Sequence, residues 1–493
     1  MGTFYVENFG CRATQADGAA IERQFLELGL EPAEVAAEAE VVVLNTCTVT
    51  ASADQDARAA IRRIHRQNPN CQIVVTGCYA QRAPEEVAAL PGVSQVIGNS
   101  HKHELAKIQA SVVSFQSSAV SQETQSSEIS QFVPILELIS CNTNHGQVTA
   151  TPGDRVLTTD DRRPTADIFV SDIFAHTELL AAPVFDAANE RTRPNLKVQD
   201  GCDNRCSFCV IPYVRGQSRS LPAERVLSEV NALIQSGYRE VVISGINLGR
   251  WGRDFSQAEG FESLVRKILD QTSLEKLRIS SVEPMDWSDE LIELMAISPR
   301  IAKHAHVPMQ SGSDRILRAM HRKYRPWHYE EKLLKIRHAM PNCAIGADVM
   351  VGFPGETDED FDETRRMIES LPFTYLHVFT YSARPGTPAA SMKTQVPVRI
   401  ARERNHTLRE IAAAKKLAFM RSFVGREIEA ITLNVFDGEH TEALTDNYLK
   451  LRVAGKHEAN QWLRLLVSQV RDGVLMSEQA VRSSTNFQVP LAN

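Results

Sequence analysis

Three cysteines in one short span carry the most specific chemical signal in this sequence. Cys202, Cys206 and Cys209 stand as C-x3-C-x2-C within GCDNRCSFCV. Thiolates hold iron–sulfur clusters, and this spacing on one loop lets three sulfurs meet three irons of a 4Fe–4S cluster, leaving the fourth iron open. A zinc loop and incidental thiols are the alternatives, but zinc would want a fourth ligand and none follows nearby. Cys11, Cys47 and Cys78 lie far apart in sequence, yet each comes directly after a β-rich run, FYVEN, VVVLN and QIVVT respectively. In a parallel sheet those run ends share the carboxyl edge, where open α/β sheets bind ligands. Three thiols gathered there predict a second cluster with one open iron; buried cysteines acting as small hydrophobes are the bland alternative. Cys71 and Cys343 precede their strands and Cys141 falls in a polar stretch, so these three are read as inert thiols.

The elements that must position these thiols follow from hydrophobic periodicity. Residues 3 to 98 alternate β-rich runs with helical stretches such as 15–28 and 51–67, which predicts a small parallel α/β domain over residues 1–110. Residues 111–190 are crowded with Ser, Gln and Thr and read as a linker with a largely disordered insertion, in which VPILELI could form one short element. Alternation resumes in residues 191–420 with the strand candidates NLKVQ, EVVISG, KLRISSV, KHAHVPM, CAIGADVMV and TYLHVFTY, the pattern of a partial or full parallel (β/α) barrel followed by a basic helix. The close-spaced cysteine loop comes straight after the first of them. Residues 421–485 carry short β-like runs and Asp-Gly turns, the mark of a small all-β barrel.

In such a barrel the reactive ends are the carboxyl ends of the strands. The residues closing them are Ser244, Gly245 and Asn247; Ser281 and Glu283; Gln310 and Ser311; and Gly352 to Gly355. Arg215 and Arg219 follow the cysteine loop and could pair with a phosphate or carboxylate, or equally with a neighbouring acid.

The bulk numbers bound the answer. A chain of 493 residues should hold two to four domains at roughly 100–200 residues each. Hydrophobic residues at 43% and charged residues at 23% are ordinary for a globular protein. No run approaches the roughly 20 apolar residues that span a bilayer. The start MGTFYVENFGC has no signal-peptide pattern, and nine cysteines are too sparse for a disulfide scaffold, so the expectation is a cytoplasmic protein off the membrane. A net charge of −7 argues against indiscriminate nucleic-acid binding. Local basic stretches around Arg58–Arg66, Arg315–Arg325 (with Arg322) and after Arg399 permit RNA contact, although such runs are more often solvated faces.

GCDNRCSFCVIPYVRGQSRS resembles the radical S-adenosylmethionine (SAM) loop of the tRNA methylthiotransferase family, and HVPMQSGSD, MHRKY, GADVMVGFPGETDEDF and FTYSARPGTPAA resemble its barrel segments in order. The resemblance implies two 4Fe–4S clusters. One, on Cys202, Cys206 and Cys209, would chelate SAM and release a 5′-deoxyadenosyl radical; the other, on Cys11, Cys47 and Cys78, would carry or deliver sulfur. It implies Phe208 near the adenine, and Ser244 and Gly245 near the methionyl amino group. The C-terminal barrel resembles a TRAM domain, with Tyr448 offered for base stacking. The implied partners are tRNA, a flavodoxin- or ferredoxin-like electron donor and a sulfur donor. Within the family, NFGCRATQADG and EVVISGINLGRWGRDF are most similar to members that act on N6-threonylcarbamoyladenosine; isopentenyl adenosine and a ribosomal-protein aspartate are the alternative substrates. A noncatalytic iron–sulfur RNA-binding protein or electron carrier is the alternative from another class. The 111–190 insertion is longer than the family leads one to expect.

Overall fold

The computed structural model describes residues 2–109, 166–176, 179, 183–184, 193–478 and 480–481. Its first unit is a parallel sheet of β1 (Thr3–Asn8), β2 (Glu31–Pro32), β3 (Val41–Thr46), β4 (Gln72–Gly77), β5 (Val93–Gly98) and β6 (Asp167–Phe169), in the order β2-β1-β3-β4-β5-β6. VVVLNT is buried at every position, as a central strand covered on both faces must be. Its side chains divide by parity. Val42 and Leu44 pack with Ile61 and Ile64 of helix Ala51–Gln67. Val41 and Val43 pack with Ile21 and Phe25 of helix Arg12–Glu27.

The sheet takes a strand from beyond residue 110. β6 pairs with β5 through Gln95↔Asp167 and Ile97↔Phe169, so this part of the 111–190 stretch is an ordered element and not linker. A three-residue edge strand with two exposed positions has too little apolar periodicity to stand out in sequence. VPILELI and Cys141 lie outside the described residues.

The central unit has the six parallel strands expected: β8 (Asn195–Asp200), β10 (Glu240–Gly245), β11 (Lys276–Ile279), β12 (His304–His306), β13 (Ala344–Val351) and β14 (Tyr375–Thr380). Two-residue strands β7 (Pro183–Val184) and β9 (Arg219–Ser220) lie antiparallel on β8. A Leu277↔Ile301 bridge joins β11 to the stretch before β12, and among the described residues no pairing closes β14 onto β8, so the barrel is partial. One parity of each strand, including Leu196, Ile243, Ala305, Val349 and Val378, joins the main apolar core under the helices. The other parity is polar: Lys197, Arg278, His304, His306, Asp348, Tyr375 and His377. His304 stacks on Tyr375 and His306 on Tyr375. His377 is exposed and Asp348 only half-buried on this inner face, so the barrel holds an open polar chamber.

Helix Val398–Arg421 packs along β14 and leads into a sheet of β15 (Glu427–Phe436), β16 (His440–Thr445), β17 (Lys450–Ala454), β18 (Trp462–Leu466), β19 (Gln469–Arg471), β20 (Val474–Ser477) and β21 (Ala480–Val481). Pairings are antiparallel except β17 with β20. This module docks under the barrel, where Arg278 Nη1 donates to Asp446 O at 3.0 Å and Asn447 Nδ2 to Asn342 O at 3.1 Å. Tyr448, held at φ 67°, lies 4.6 Å from the His304 ring and 5.5 Å from the Arg278 guanidinium. Its half-buried ring thus packs against the barrel's inner face. No helix among the described residues is long and apolar enough to cross a membrane.

Candidate metal and cofactor centre

The first thiol group is assembled by sheet register. Asn8 pairs with Asn45 and Asn45 with Thr76, so β1, β3 and β4 end level, and Cys11, Cys47 and Cys78 all follow within three residues. Gly10 (φ 99°) lets the loop before Cys11 lie against Cys47: a Cβ there would stand 2.5 Å from Cys47 Cβ and 2.8 Å from its Sγ. Burial pushes the Cys47 thiol up to about 12, and the adjoining Cys78 and Cys11 push the same way. Cys47 and Cys78 are buried and Cys11 is exposed, and buried thiols give up their protons to a bound metal far more readily than to water. Asn99 Nδ2 lies 3.6 Å from Cys78 Sγ and donates to Val214 O at 2.7 Å. Cys71 and Cys343 sit at the opposite strand ends, bonded to Asn68 O and Ala344 O.

Behind this group runs a buried charge network. Arg215 Nη1 pairs with Asp200 at 2.9 Å and its Nη2 with Asp17 at 3.0 Å. Lys102 reaches Asp17 at 3.0 Å, and Lys197 bonds both Asp200, at 2.9 Å, and Asp17. Arg219 is buried too, with Nη1 3.4 Å from the carbonyls of His176 and Gln217. Neither arginine is a surface RNA contact: in sequence, an arginine after a cysteine loop reads the same whether its partner is a phosphate or a buried aspartate. Arg215→Met would take one cation from each of two buried carboxylates that Lys197 and Lys102 still pair, a change that should cost part of the about 3–5 kcal/mol of a fully unpaired buried charge. Thermal melting should show a drop of many degrees, and a melt like wild type would refute the network's structural role. Burial raises the Asp17 carboxyl, but Lys102, Lys197 and Arg215 outweigh it and hold it at about 2. Its contribution to stability is therefore complete above the ordinary carboxylate range and fades as pH falls toward 2.

The second thiol group hangs from the end of β8. Gly201 (φ 72°) packs so tightly that a Cβ would stand 1.9 Å from Gln217 O, and Cys202 N donates to Gly216 O at 3.1 Å. Cys209 N bonds Cys206 O at 3.1 Å, and Ser207 is tied to Met320 and Ala389. Arg322 Nη1 donates to Cys206 Sγ at 3.2 Å while Nη2 pairs with Glu283. Arg322 thus belongs to this centre, buried between a thiol and a carboxylate, and is not an exposed RNA contact. Asn247 Nδ2 stands 3.6 Å from Cys202 Sγ. Burial, with the neighbouring Cys206, pushes Cys202 to about 11 and Cys209 to about 12. Among the described residues no group of three His, Cys, Asp or Glu side chains is placed to hold a single metal ion.

Around these thiols the strand-end residues divide. Ser244 Oγ, Asn247 Oδ1 and Gln310 Oε1 are buried with no hydrogen-bond partner in the protein, and buried polar atoms are seldom left so unless something else meets them. Gln310 also sits at φ 63°, a strain of about 1–3 kcal/mol for a non-glycine residue of the kind found at ligand sites. Ser281 Oγ is bonded to His306 Nδ1 at 2.7 Å. The Ser311 hydroxyl is taken by Thr364 at 3.2 Å and by Ser313 N, so it supports the loop and does not face a ligand. Gly245 is small because Gln199 fills the space, 2.8 Å from where its Cβ would be. Phe208 packs against a group that includes Ile316, Met350 and Phe353. Gln199, missed in the sequence, accepts from Asn247 N at 2.7 Å and donates to Asp200 O, Gly201 O and Ser218 Oγ; a glutamine at a barrel strand's end is its only sequence sign.

The two centres adjoin. Cys78 packs on Val210 and Val214, in the stretch that begins one residue after Cys209. Residues 3–98 match the model of the uncharacterised protein family UPF0004, and residues 196–368 match that of the radical SAM superfamily. The threonylcarbamoyladenosine tRNA methylthiotransferase MtaB of Aquifex aeolicus is 34% identical over 94% of this chain and 99% of its own length. The chain belongs to the radical-SAM tRNA methylthiotransferase family. The MtaB of Bacillus subtilis is also 34% identical, over 93% of this chain and 92% of its own length. A family member named tRNA-2-methylthio-N(6)-dimethylallyladenosine synthase, from Thermobifida fusca, is 31% identical over 99% of this chain and 88% of its own. Among solved structures, the radical SAM methyltransferase TsrM of Kitasatospora setae superposes with a TM-score of 0.52 at 14% identity, covering 85% of this chain and 89% of that one. At that identity the likeness speaks to the fold alone.

Proposed function

We propose that the protein converts N6-threonylcarbamoyladenosine, next to the anticodon of tRNA, into its 2-methylthio derivative. The observation that supports it best is the contact of Cys78 with Val210 and Val214, which brings the stretch after Cys209 against one of the auxiliary thiols. Cys202, Cys206 and Cys209 would hold a 4Fe–4S cluster that would supply an electron to SAM, and Cys11, Cys47 and Cys78 would hold a second that would supply sulfur.

The chain's own residues bind and orient. Ser244, Asn247 and Gln310 offer unpartnered polar atoms to SAM at the strand ends, and Phe208 offers an apolar face for its adenine. Arg322, fixed by Glu283, donates to Cys206 Sγ and holds the cysteine loop in place. The buried charge network behind the auxiliary thiols ties helix Arg12–Glu27 to β8 through Asp17, Lys197 and Arg215. One SAM would give its methyl group to sulfur and a second would yield the radical that removes hydrogen from C2 of the adenine. A small flavodoxin- or ferredoxin-like reductant and a separate sulfur donor complete the cycle, and the C-terminal module, TRAM-like in sequence, would take RNA backbone.

The dimethylallyl reading is kept open by the Thermobifida relative, but an isoprenoid chain gains little from a chamber lined by His304, His306, His377 and Asp348. Nucleosides from a strain lacking the gene decide between them by mass spectrometry. The 2-methylthio threonylcarbamoyl nucleoside should vanish; its persistence with a different methylthio nucleoside missing would reject the assignment.

A further inference from the structure

Arg12 stands next to the auxiliary thiols and has no acidic partner. It begins helix Arg12–Glu27 directly after Cys11, and its side chain is exposed. Its one side-chain bond runs from Nη2 to the Tyr448 hydroxyl at 3.3 Å, and among the described residues no carboxylate pairs with it. A guanidinium has five N–H donors in a rigid fork, so most of its capacity is unspent. Tyr448 places that fork at the chamber wall, because the same ring packs on His304 and Tyr375 of the barrel's inner face. The charge of Arg12 is felt by His304, His377 and Tyr375 from across the chamber. The other cations nearby are spoken for: Arg278 pairs with Glu240, and Arg193 lies 3.7 Å from the same carboxylate. Asp348 stands on the same inner face, 3.5 Å from His306, and among the described residues the Arg12 fork beside Cys11 keeps donors that no carboxylate takes.

We propose that Arg12 recognises the carboxylate of the threonyl group on the substrate base and so selects that base over neutral N6-substituted adenosines. This rests on the substrate reading above and deepens it. The threonylcarbamoyl substituent differs from an isoprenoid one in carrying a carboxylate, which is ionised at neutral pH. An arginine fork meets a carboxylate with two parallel N–H···O bonds, which fixes the direction of the substituent as well as holding it.

The test is binding, read by fluorescence anisotropy with anaerobically reconstituted protein whose iron content is measured. The probes are one anticodon stem-loop carrying threonylcarbamoyladenosine, the same stem-loop with that carboxylate as its methyl ester, and the same stem-loop with isopentenyl adenosine. Wild type should prefer the acid to the ester by about tenfold or more, the range for a hydrogen bond to a charged group. Arg12→Gln should bind acid and ester alike. Arg12→Lys, which keeps the charge but not the fork, should retain a reduced preference for the acid. If Arg12→Gln with full iron still prefers the acid, Arg12 is not the reader. A wild type that binds the isopentenyl stem-loop better than the threonylcarbamoyl one rejects the substrate reading, and the role of Arg12 falls with it.

Discussion

Replacing Cys11, Cys47 and Cys78 together by serine should remove about half of the iron, four of eight atoms for two 4Fe–4S clusters, and leave SAM cleavage intact. The reason is topological. These thiols come from the level ends of β1, β3 and β4, whereas the loop carrying Cys202, Cys206 and Cys209 is pinned by its own bonds to Gly216, Met320 and Ala389. Removing the first set changes no bond that shapes the second. The variant should release 5′-deoxyadenosine with dithionite and form no methylthio product. Cys71→Ala is the control: its thiol is bonded to Asn68 O at the far edge of the same sheet, so iron and product should both persist. If Cys71→Ala cost a cluster and Cys78→Ala did not, the placement of ligands along that edge would be refuted.

The converse substitution has the other large effect. Cys202, Cys206 and Cys209 replaced by alanine should leave about four irons and abolish 5′-deoxyadenosine altogether, because this triad hangs from a barrel strand end with Asn247, whose Oδ1 is unpartnered, against Cys202. Arg322 then loses its bond to Cys206 but keeps its ion pair with Glu283 and its bond to the Tyr324 hydroxyl, so the fold should survive. Retention of all eight irons would show that the loop is not a cluster site.

How far these residues can be read from sequence depends on how local their cause is. The cysteine positions are legible because strand periodicity fixes which end of a parallel strand a residue follows, and the six barrel strands stand out through their apolar parity. β6 is hidden because an exposed three-residue edge strand has no such signature. The fates of Arg215, Arg322 and Tyr448 are settled by partners far along the chain: Asp17 lies 198 residues from Arg215, Cys206 116 residues from Arg322, and Arg12 436 residues from Tyr448. A sequence shows that an arginine is cationic and where it falls, but the acid that will meet it in the folded core is set by tertiary packing. Gln199 and Arg12 belong to the same class. Each becomes significant only once the neighbouring Asn247 amide or the barrel floor is in place.

The central claim is that this chain puts a methylthio group on one particular modified base. Anaerobic incubation of the reconstituted protein with SAM, dithionite and tRNA carrying either threonylcarbamoyladenosine or isopentenyl adenosine tests it most directly, with the digested nucleosides read by mass spectrometry. The account predicts the 2-methylthio form of the threonylcarbamoyl nucleoside, together with 5′-deoxyadenosine and S-adenosylhomocysteine, and no change in the isopentenyl nucleoside. Methylthiolation of the isopentenyl nucleoside alone, or of neither while 5′-deoxyadenosine accumulates, would contradict it.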